Sequence, residues 1–177
     1  MLNTKRIQLR RLERTDLERC HEWLSVPEVL SGIGVFGPRS IAEQEQWYEG
    51  IAASRTNIIF AICLAEDGTH IGNSSIFDVD HINSNAALTT FIADEGHRSL
   101  GYGTDVLGLM CEYAFGYLNL HRIYGKMINP ISAHVLENLG FKEEGVLREH
   151  AFRDGAYVDK VMYGVLRSEF SWIPERD

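Results

Sequence analysis

The stretch HRSLGYGTDVLGLM, residues 97–110, places a basic residue and two nearby glycines directly before an apolar run with helical spacing. The segment before it, residues 88–94, has the composition of a strand, and residues 104–118 have the periodicity of a helix. Gly101 and Gly103 would let a ligand approach the backbone closely. The stretch therefore predicts either a phosphate-binding loop or a tight strand-to-helix turn.

The kind of phosphate that such a loop would bind follows from the residues around it. The backbone amides from Arg98 to Thr104 would converge at the positive end of the following helix, which suits a pyrophosphate. No Gly-Lys-Ser or Gly-Lys-Thr sequence follows the glycines. We therefore expect the phosphate to be a handle on a cofactor and not the group that reacts.

The rest of the sequence predicts a mixed α/β arrangement around one sheet. Apolar segments alternate with turn residues through the first half of the chain, as in an antiparallel meander. The last two segments are joined by Asp154 and Gly155, which predicts a hairpin. The predicted strands cover residues 5–12, 57–65, 70–80, 86–94, 122–128, 146–152 and 157–166.

Capping boxes mark the start of two helices near the N-terminus. Thr15 with Glu18 predicts a helix from about residue 16 that ends before Pro27, and Ser40 with Glu43 predicts a second. The apolar residues that fall on one face of the second helix are Ile41, Trp47, Tyr48 and Ile51.

A short fourth helix is predicted after the strand at 122–128. Asn129 would be its N-cap, Pro130 its first residue and Gly140 its C-terminal stop. About seven strands and about four helices then account for residues 1–177 as a single domain.

Composition and charge exclude several classes of protein. The formal net charge of −8 argues against nucleic-acid binding, because phosphate contacts need a basic surface. No apolar run approaches the ~20 residues that cross a bilayer, and no signal peptide is apparent. Three widely spaced cysteines give neither a disulfide framework nor a zinc site. We expect a cytoplasmic protein with no metal and no nucleic-acid or membrane partner.

The hexapeptide GIGVFG at residues 32–37 matches the G-x-G-x-x-G pattern of dinucleotide-binding proteins. That pattern needs a strand before it and a helix that opens within it. Here a helical stretch precedes the glycines and Pro38 follows them. We expect a loop. A dinucleotide-dependent oxidoreductase would also need a βαβ repeat, which is not found.

The order of the predicted elements and several motifs resemble the GNAT superfamily of acetyl-CoA-dependent N-acetyltransferases. The pyrophosphate loop of that family reads Arg or Gln, two variable residues, Gly, one variable residue, and Gly or Ala, which Arg98, Gly101 and Gly103 match. Residues 119–141 and 143–167 resemble the RimJ/RimL-type branch, which includes ribosomal-protein N-terminal and spermidine acetyltransferases. The resemblance implies the GNAT fold and acetyl transfer to a primary amine, on a small molecule or on a protein N-terminus.

The resemblance also implies where acetyl-CoA would bind. In the family the pantetheine arm lies along the strand before the loop, where a backbone N–H polarises the thioester carbonyl. The start of the short fourth helix also comes near the cofactor. The implied cofactor-binding residues are Phe91, Ile92, Ala93, Arg98, Ser99, Leu100, Gly101, Tyr102, Gly103, Thr104, Asn129 and Ser132.

In this family the amine attacks the thioester directly, so no nucleophilic cysteine or serine is expected. An amine with a pKa of ~10.4 must first lose a proton, which makes a base useful near pH ~7. Many members of the branch carry a glutamate for this step where the chain has Ala87. The remaining candidate bases are Asp78, Asp80, His81, Glu149 and His150. His150 is favoured because histidine is the side chain that usually titrates near neutral pH, and because the resemblance places it in a stretch that lines the substrate cleft.

Many family members protonate the departing thiolate with a tyrosine, and the chain has Leu136 at that position. The RimL-like enzymes resemble this chain in carrying a serine three residues after the asparagine, here Ser132, which is either a proton donor or a first-turn polar residue. The expected catalytic residues are thus Ser132, His150 and Asn129.

Two functions stay open from the sequence alone. The chain is either an N-acetyltransferase or, because of Ala87 and Leu136, a catalytically silent GNAT fold that binds acyl-CoA as a sensor. The acceptor amine is not named by the sequence, since specificity lies in loop-like segments. We expect a monomer or a homodimer.

Overall fold

The computed structural model describes residues 2–26, 29–30, 39–128, 133–153 and 155–175. Its strands are β1 (Leu2–Asn3), β2 (Ile7–Arg11), β3 (Ile58–Leu64), β4 (His70–Asp80), β5 (Asn85–Ile92), β6 (Arg122–Met127), β7 (Lys142–Arg153) and β8 (Ala156–Leu166). They form one sheet in the order β1-β2-β3-β4-β5-β6-β8-β7. Only β5 and β6 pair in parallel, and the other neighbours are antiparallel. The predicted meander and the predicted last hairpin are confirmed.

The helices of at least six residues in the described ranges are α1 (Leu17–Trp23), α2 (Ile41–Ala53), α3 (Tyr102–Glu112) and α4 (Ala133–Asn138). A π-helical turn, Tyr113–Tyr117, continues α3. Helix α3 connects the parallel strands β5 and β6, as a crossover between parallel neighbours requires. None of the helices in the described part of the chain combines the length and apolar character that crossing a membrane requires.

The predicted capping residues are right for one helix and wrong for another. Ser40 accepts from the Glu43 amide at 3.2 Å, and Glu43 Oε2 accepts from the Ser40 amide at 2.8 Å, so this capping box is confirmed. The box of Thr15 with Glu18 does not form. A 3₁₀ turn, Arg14–Asp16, instead starts two residues before the predicted helix. Its N-cap is Glu13, whose amide donates to Asp16 Oδ2 at 2.8 Å.

Side chains pack on both faces of the sheet. The larger core lies under α3 and α4 and includes Val106, Leu109 and Leu136. The smaller core lies under α1 and α2 and includes Trp23, with Trp47, Tyr48 and Ile51 packed against it. Ile41, predicted for the same face of α2, is 49% exposed, since it is the first residue of the helix. The GIGVFG segment and the predicted N-cap Asn129 lie outside the described residues.

Candidate active site

Strands β5 and β6 separate after a short parallel contact. The paired residues run from Asn85 with Arg122 to Ala87 with Tyr124, whereas β5 continues to Ile92 and β6 to Met127. A side chain at Gly125 would still lie 3.1 Å from the Leu88 carbonyl oxygen. Beyond that point the two strands have no pairing, so a wedge opens in the middle of the sheet.

The backbone of β5 presents hydrogen-bonding groups to this wedge. The Ala93 amide donates to Ile71 of the β4 side at 2.9 Å. Because the direction of N–H groups alternates along an antiparallel strand, the amides of Thr90 and Ile92 point the other way, into the wedge. Of the three strand residues implied for pantetheine, only Ile92 therefore directs its amide there. Thr90 was missed, because strand registers cannot be read from one sequence.

The loop after β5 leads into α3 and carries unpaired amides. Ser99 has a φ of 61° and Gly101 a φ of 83°, a left-handed geometry that glycine adopts without penalty. The amides from Ser99 to Gly103 donate to no acceptor among the described residues, and Thr104 is the first to donate, to Gly101 at 3.1 Å. Unpaired amides at a helix N-terminus form an anion-binding site. The loop and the wedge are adjacent along the chain.

Arg98 has a different contact from the one that its place in the motif suggests. Its Nε donates to the Ile92 carbonyl at 3.0 Å and its Nη2 to the Ala93 carbonyl at 2.8 Å. Its guanidinium thus fastens the loop to the end of β5. The backbone amides of the loop stay available to a phosphate.

The wedge opens on the sheet face that α1 and α2 partly cover. Side chains two residues apart on a strand share a face, so Ala87, Thr89 and Phe91 point to this side, and Tyr124 joins them through its pairing with Ala87. Thr89 is exposed in the middle of a central strand, which shows that the face is open here. Ser75 pairs with Thr89 and so lies on the same face. We call Ser75, Ala87, Thr89 and Tyr124 the acceptor face.

Carboxylates lie near this face. Glu144 forms a bidentate ion pair with Arg122, whose guanidinium is 5.6 Å from the centre of the Tyr124 ring. The hydrogen bonds from Arg122 hold the pKa of Glu144 below its ordinary range. Asp78 follows Phe77 in the irregular part of β4, has a φ of 54° and is exposed. Its carboxylate has no hydrogen-bond partner in the described ranges.

Asp80, a candidate base, is engaged in a turn. Its Oδ1 accepts from the amides of Ile82 at 2.9 Å and Asn83 at 2.8 Å, and its Oδ2 accepts from Asn83 Nδ2 at 2.7 Å. These bonds, first those of Asn83, lower the pKa of Asp80. Asp80 therefore stabilises the β4–β5 connection, and a carboxylate with a lowered pKa is a weak base.

His150, the favoured base, lies on the exposed edge strand β7. The pairing of β7 with β8 shifts between Leu147 and Ala151, and Glu149 in this bulge has a φ of 50°. This part of β7 pairs with the start of β8, before Val161, and Val161 is the first residue of β8 that pairs with β6. No described contact joins His150 to the wedge. Ser132 and Asn129 lie outside the described residues.

A buried polar network lies at the start of β4, beneath α1. His70 Nε2 lies 2.9 Å from the Gly72 carbonyl and 2.8 Å from Asn73 Oδ1, so Nε2 carries the hydrogen. Its Nδ1 is buried without a hydrogen-bond partner among the described residues. Burial lowers the pKa of His70, so the imidazole is neutral. Arg10 binds both oxygens of Asp16, each at 2.7 Å, in the same network.

The three cysteines are buried free thiols. Burial raises the pKa of Cys20 to about 11 and also raises the pKa values of Cys63 and Cys111. A thiol must ionise to act as a nucleophile. None of these cysteines is therefore placed to form a covalent acyl intermediate.

The chain is similar to known proteins over nearly its whole length. Residues 6–142 match the acetyltransferase (GNAT) domain family. Spermidine N(1)-acetyltransferase of Vibrio cholerae is 30% identical over 93% of this chain and 95% of that protein, and its Escherichia coli counterpart is 24% identical over 93% and 88%. A crystal structure of the Vibrio cholerae enzyme in complex with CoA and spermine superposes with a TM-score of 0.87 at 28% identity, covering 92% of this chain and 96% of that one.

Proposed function

Since the chain belongs to the GNAT family of acetyltransferases and is an acetyl-CoA-dependent N-acetyltransferase, we propose that its acceptor is a polyamine. The similarity to the Vibrio cholerae spermidine enzyme, which extends over 93% of this chain, carries the proposal. Nothing in the comparisons favours a catalytically silent acyl-CoA sensor. The coarser function, acetyl transfer to a small amine, follows from the family and its named relatives.

The chain has candidate binding sites for the pyrophosphate and for the pantetheine arm of acetyl-CoA. The unpaired amides from Ser99 to Gly103 fit a pyrophosphate, because they are donors at the positive end of α3. The wedge fits the extended pantetheine arm, which can replace the missing strand partner of β5 beyond Leu88. The amides of Thr90 and Ile92 are the donors in the wedge that would bind the pantetheine and polarise the thioester carbonyl.

The acceptor face fits the approach of the amine. The bound cosubstrate supplies its acetyl group as a thioester. The amine nitrogen attacks the carbonyl carbon and forms the new carbon–nitrogen bond, and the amide of β5 stabilises the resulting oxyanion. The carbon–sulfur bond then breaks as the carbonyl re-forms. The ammonium group loses one proton to a base or to water before the attack. The nitrogen loses a second proton after the attack and the departing sulfur gains one, so the reaction balances with the release of one proton and needs no oxidant or second cofactor.

The proton-transfer groups are proposed by resemblance. His150 or water takes the proton from the amine, and Ser132 delivers one to the thiolate, with Asn129 near the cofactor. Tyr124 is a second hydroxyl at the narrow end of the wedge and is an alternative donor. Since a thiol has a pKa of ~8.5, the thiolate needs less help to leave than an alkoxide does.

The charges near the acceptor face favour a substrate with more than one ammonium group. The formal net charge is −8, and the exposed Asp78 directly follows Phe77, which pairs with Ala87 of the acceptor face. A second ammonium of the acceptor could bind this carboxylate while the first reacts. A monoamine of the same length would lack that contact.

Several finer assignments belong to the same proposal. A RimJ/RimL-like membership of the chain would allow a protein N-terminus as acceptor, and we rank it second because the relatives named above act on spermidine. Buried free thiols suit a reducing compartment such as the cytoplasm. A monomer or a homodimer is expected, and the acceptor is expected to be neither a nucleic acid nor a membrane lipid.

An acceptor panel tests the proposal. CoA release from acetyl-CoA is followed with a thiol reagent in the presence of spermidine, an alkyl monoamine of equal length, a peptide with a free N-terminus, or water. One charge-assisted contact predicts a kcat/KM for spermidine about 10- to 150-fold above that for the monoamine. A higher kcat/KM for the peptide would assign the protein-N-terminus function. Release no faster than in water, with all acceptors, would contradict polyamine acetylation.

A further inference from the structure

Arg6 contacts the carbonyl oxygens of the loop that carries the unpaired amides. It stands one residue before β2, and its Nη1 donates to the Leu100 carbonyl at 2.9 Å, while Nη2 lies 3.5 Å from the Gly101 carbonyl. Its Nε donates to Asp105 Oδ2 at 3.0 Å, and Nη2 is 2.8 Å from the same oxygen. One guanidinium thus joins two consecutive loop carbonyls to a carboxylate in the first turn of α3.

These contacts fix the direction of the loop amides. In a planar trans peptide the C=O and the following N–H point in opposite directions. Because the carbonyls of Leu100 and Gly101 point towards Arg6, the amides of Gly101 and Tyr102 point away from it. These are two of the amides that have no acceptor among the described residues.

Arg6 also neutralises the negative charge of Asp105, which lies next to the proposed pyrophosphate-binding loop, residues 99–103. Asp105 is only 9% exposed and belongs to the first turn of α3. A carboxylate there is favoured by the helix dipole, but without a cation it would repel a bound pyrophosphate. Thr4 Oγ1 lies 3.5 Å from Asp105 Oδ2 and carries no charge. Within the described ranges, Arg6 is the cation in contact with this carboxylate.

We propose that Arg6 is a positioning residue for acetyl-CoA, which directs the Gly101 and Tyr102 amides at the pyrophosphate and cancels the charge of Asp105. The proposal rests on the assignment of the loop as the cofactor seat and is independent of the acceptor. The loop motif does not reveal Arg6, because Arg6 is 94 residues away from Leu100 in the sequence.

The test compares Arg6→Ala and Arg6→Lys with a matched control, Arg10→Ala. Arg10 lies four residues later, within β2, and also binds a buried aspartate, Asp16, through two hydrogen bonds of 2.7 Å, but its described hydrogen bonds do not reach the loop. CoA affinity is measured by calorimetry without an acceptor, KM and kcat with saturating acceptor, and folding by thermal melting. A failure of polyamine acetylation would therefore leave the CoA measurement valid.

Loss of the oriented amides predicts that Arg6→Ala weakens CoA binding and raises KM for acetyl-CoA by about 10- to 100-fold, with kcat within a few-fold of the parent. Arg6→Lys keeps the positive charge but lacks the forked guanidinium group. Its loss of CoA affinity should therefore be smaller than that of Arg6→Ala. Arg10→Ala should lower the melting temperature and leave CoA affinity within about 3-fold. Equal losses of affinity in Arg6→Ala and Arg10→Ala would overturn the proposal.

A second pair of variants tests the charge of Asp105. Asp105→Asn keeps the shape of the side chain and removes its charge. If Arg6 neutralises Asp105, the double variant Arg6→Ala with Asp105→Asn binds CoA more tightly than Arg6→Ala alone. A double variant that binds no better than Arg6→Ala would overturn the electrostatic part of the proposal.

Discussion

Gly103→Val is the substitution that probes the cofactor loop most selectively. Gly103 is the second residue of α3, and a Cβ built there meets no heavy atom within 4 Å. The side chain therefore fits the protein without a clash and would occupy open space next to the unpaired amides. Valine is also a better helix former than glycine. We expect the free energy of unfolding to change by no more than about 0.5 kcal/mol.

The effect on CoA binding follows from the hydrogen bonds that a displaced pyrophosphate would lose. Each bond from an amide to a charged group contributes about 1.5 to 3 kcal/mol, and 1.4 kcal/mol corresponds to a factor of ten. Loss of one such bond predicts a Kd for CoA that rises about 10- to 150-fold. Calorimetry with CoA measures this Kd directly.

Gly50→Val is the control for this experiment. Gly50 lies inside α2, and a Cβ built there also meets no heavy atom within 4 Å. Its variant should fold and bind CoA as the parent does. A folded Gly103→Val protein with the Kd of the parent would show that the pyrophosphate does not bind at this turn of α3.

Three further predictions concern the acceptor, the leaving group and stability. Asp78→Asn should raise KM for spermidine at low salt. The difference in KM from the parent should fade as salt is added, because charges are screened over ~8 Å at physiological ionic strength. A KM equal to the parent's at every salt concentration would exclude a role for Asp78. Ser132→Ala should lower kcat by about 10²-fold if Ser132 protonates the thiolate, and an unchanged kcat together with a reduced kcat in Tyr124→Phe would transfer that role to Tyr124. Burial lowers the pKa of His70 below its ordinary value of 6.5. As the pH falls through 6.5, the unfolded chain therefore takes up a proton that the folded chain does not. The free energy of unfolding then declines with falling pH. His70→Gln should flatten that decline in urea unfolding curves on both sides of pH 6.5, and an equal decline in both proteins would contradict it.

The order and type of the elements could be predicted because they depend on local patterns. Turn residues separate the apolar segments of the meander, and Val106, Leu109 and Met110 give α3 its buried face. The capping box of Ser40 with Glu43 also depends on near neighbours. Local signals were insufficient at Thr15, because Arg10 holds both oxygens of Asp16 and fixes the turn behind Glu13.

The candidate site depends on distant contacts, and the sequence reveals it only in part. The two glycines of the loop were visible, since their spacing is local. The wedge was not, because it arises where β5 and β6 stop pairing at Ala87 and Tyr124. The contact of Arg98 with the carbonyls of β5 was hidden for the same reason.

The position of CoA along the backbone tests the proposed binding site most directly. Titration of ¹⁵N-labelled protein with CoA reports each amide separately by its NMR chemical shift. We predict the largest shifts at Gly101, Tyr102 and Gly103 in the loop and at Thr90 and Ile92 in the wedge, with little change at Gly68 in the β3–β4 turn. Saturable CoA binding that leaves the loop and wedge amides unshifted would contradict this prediction.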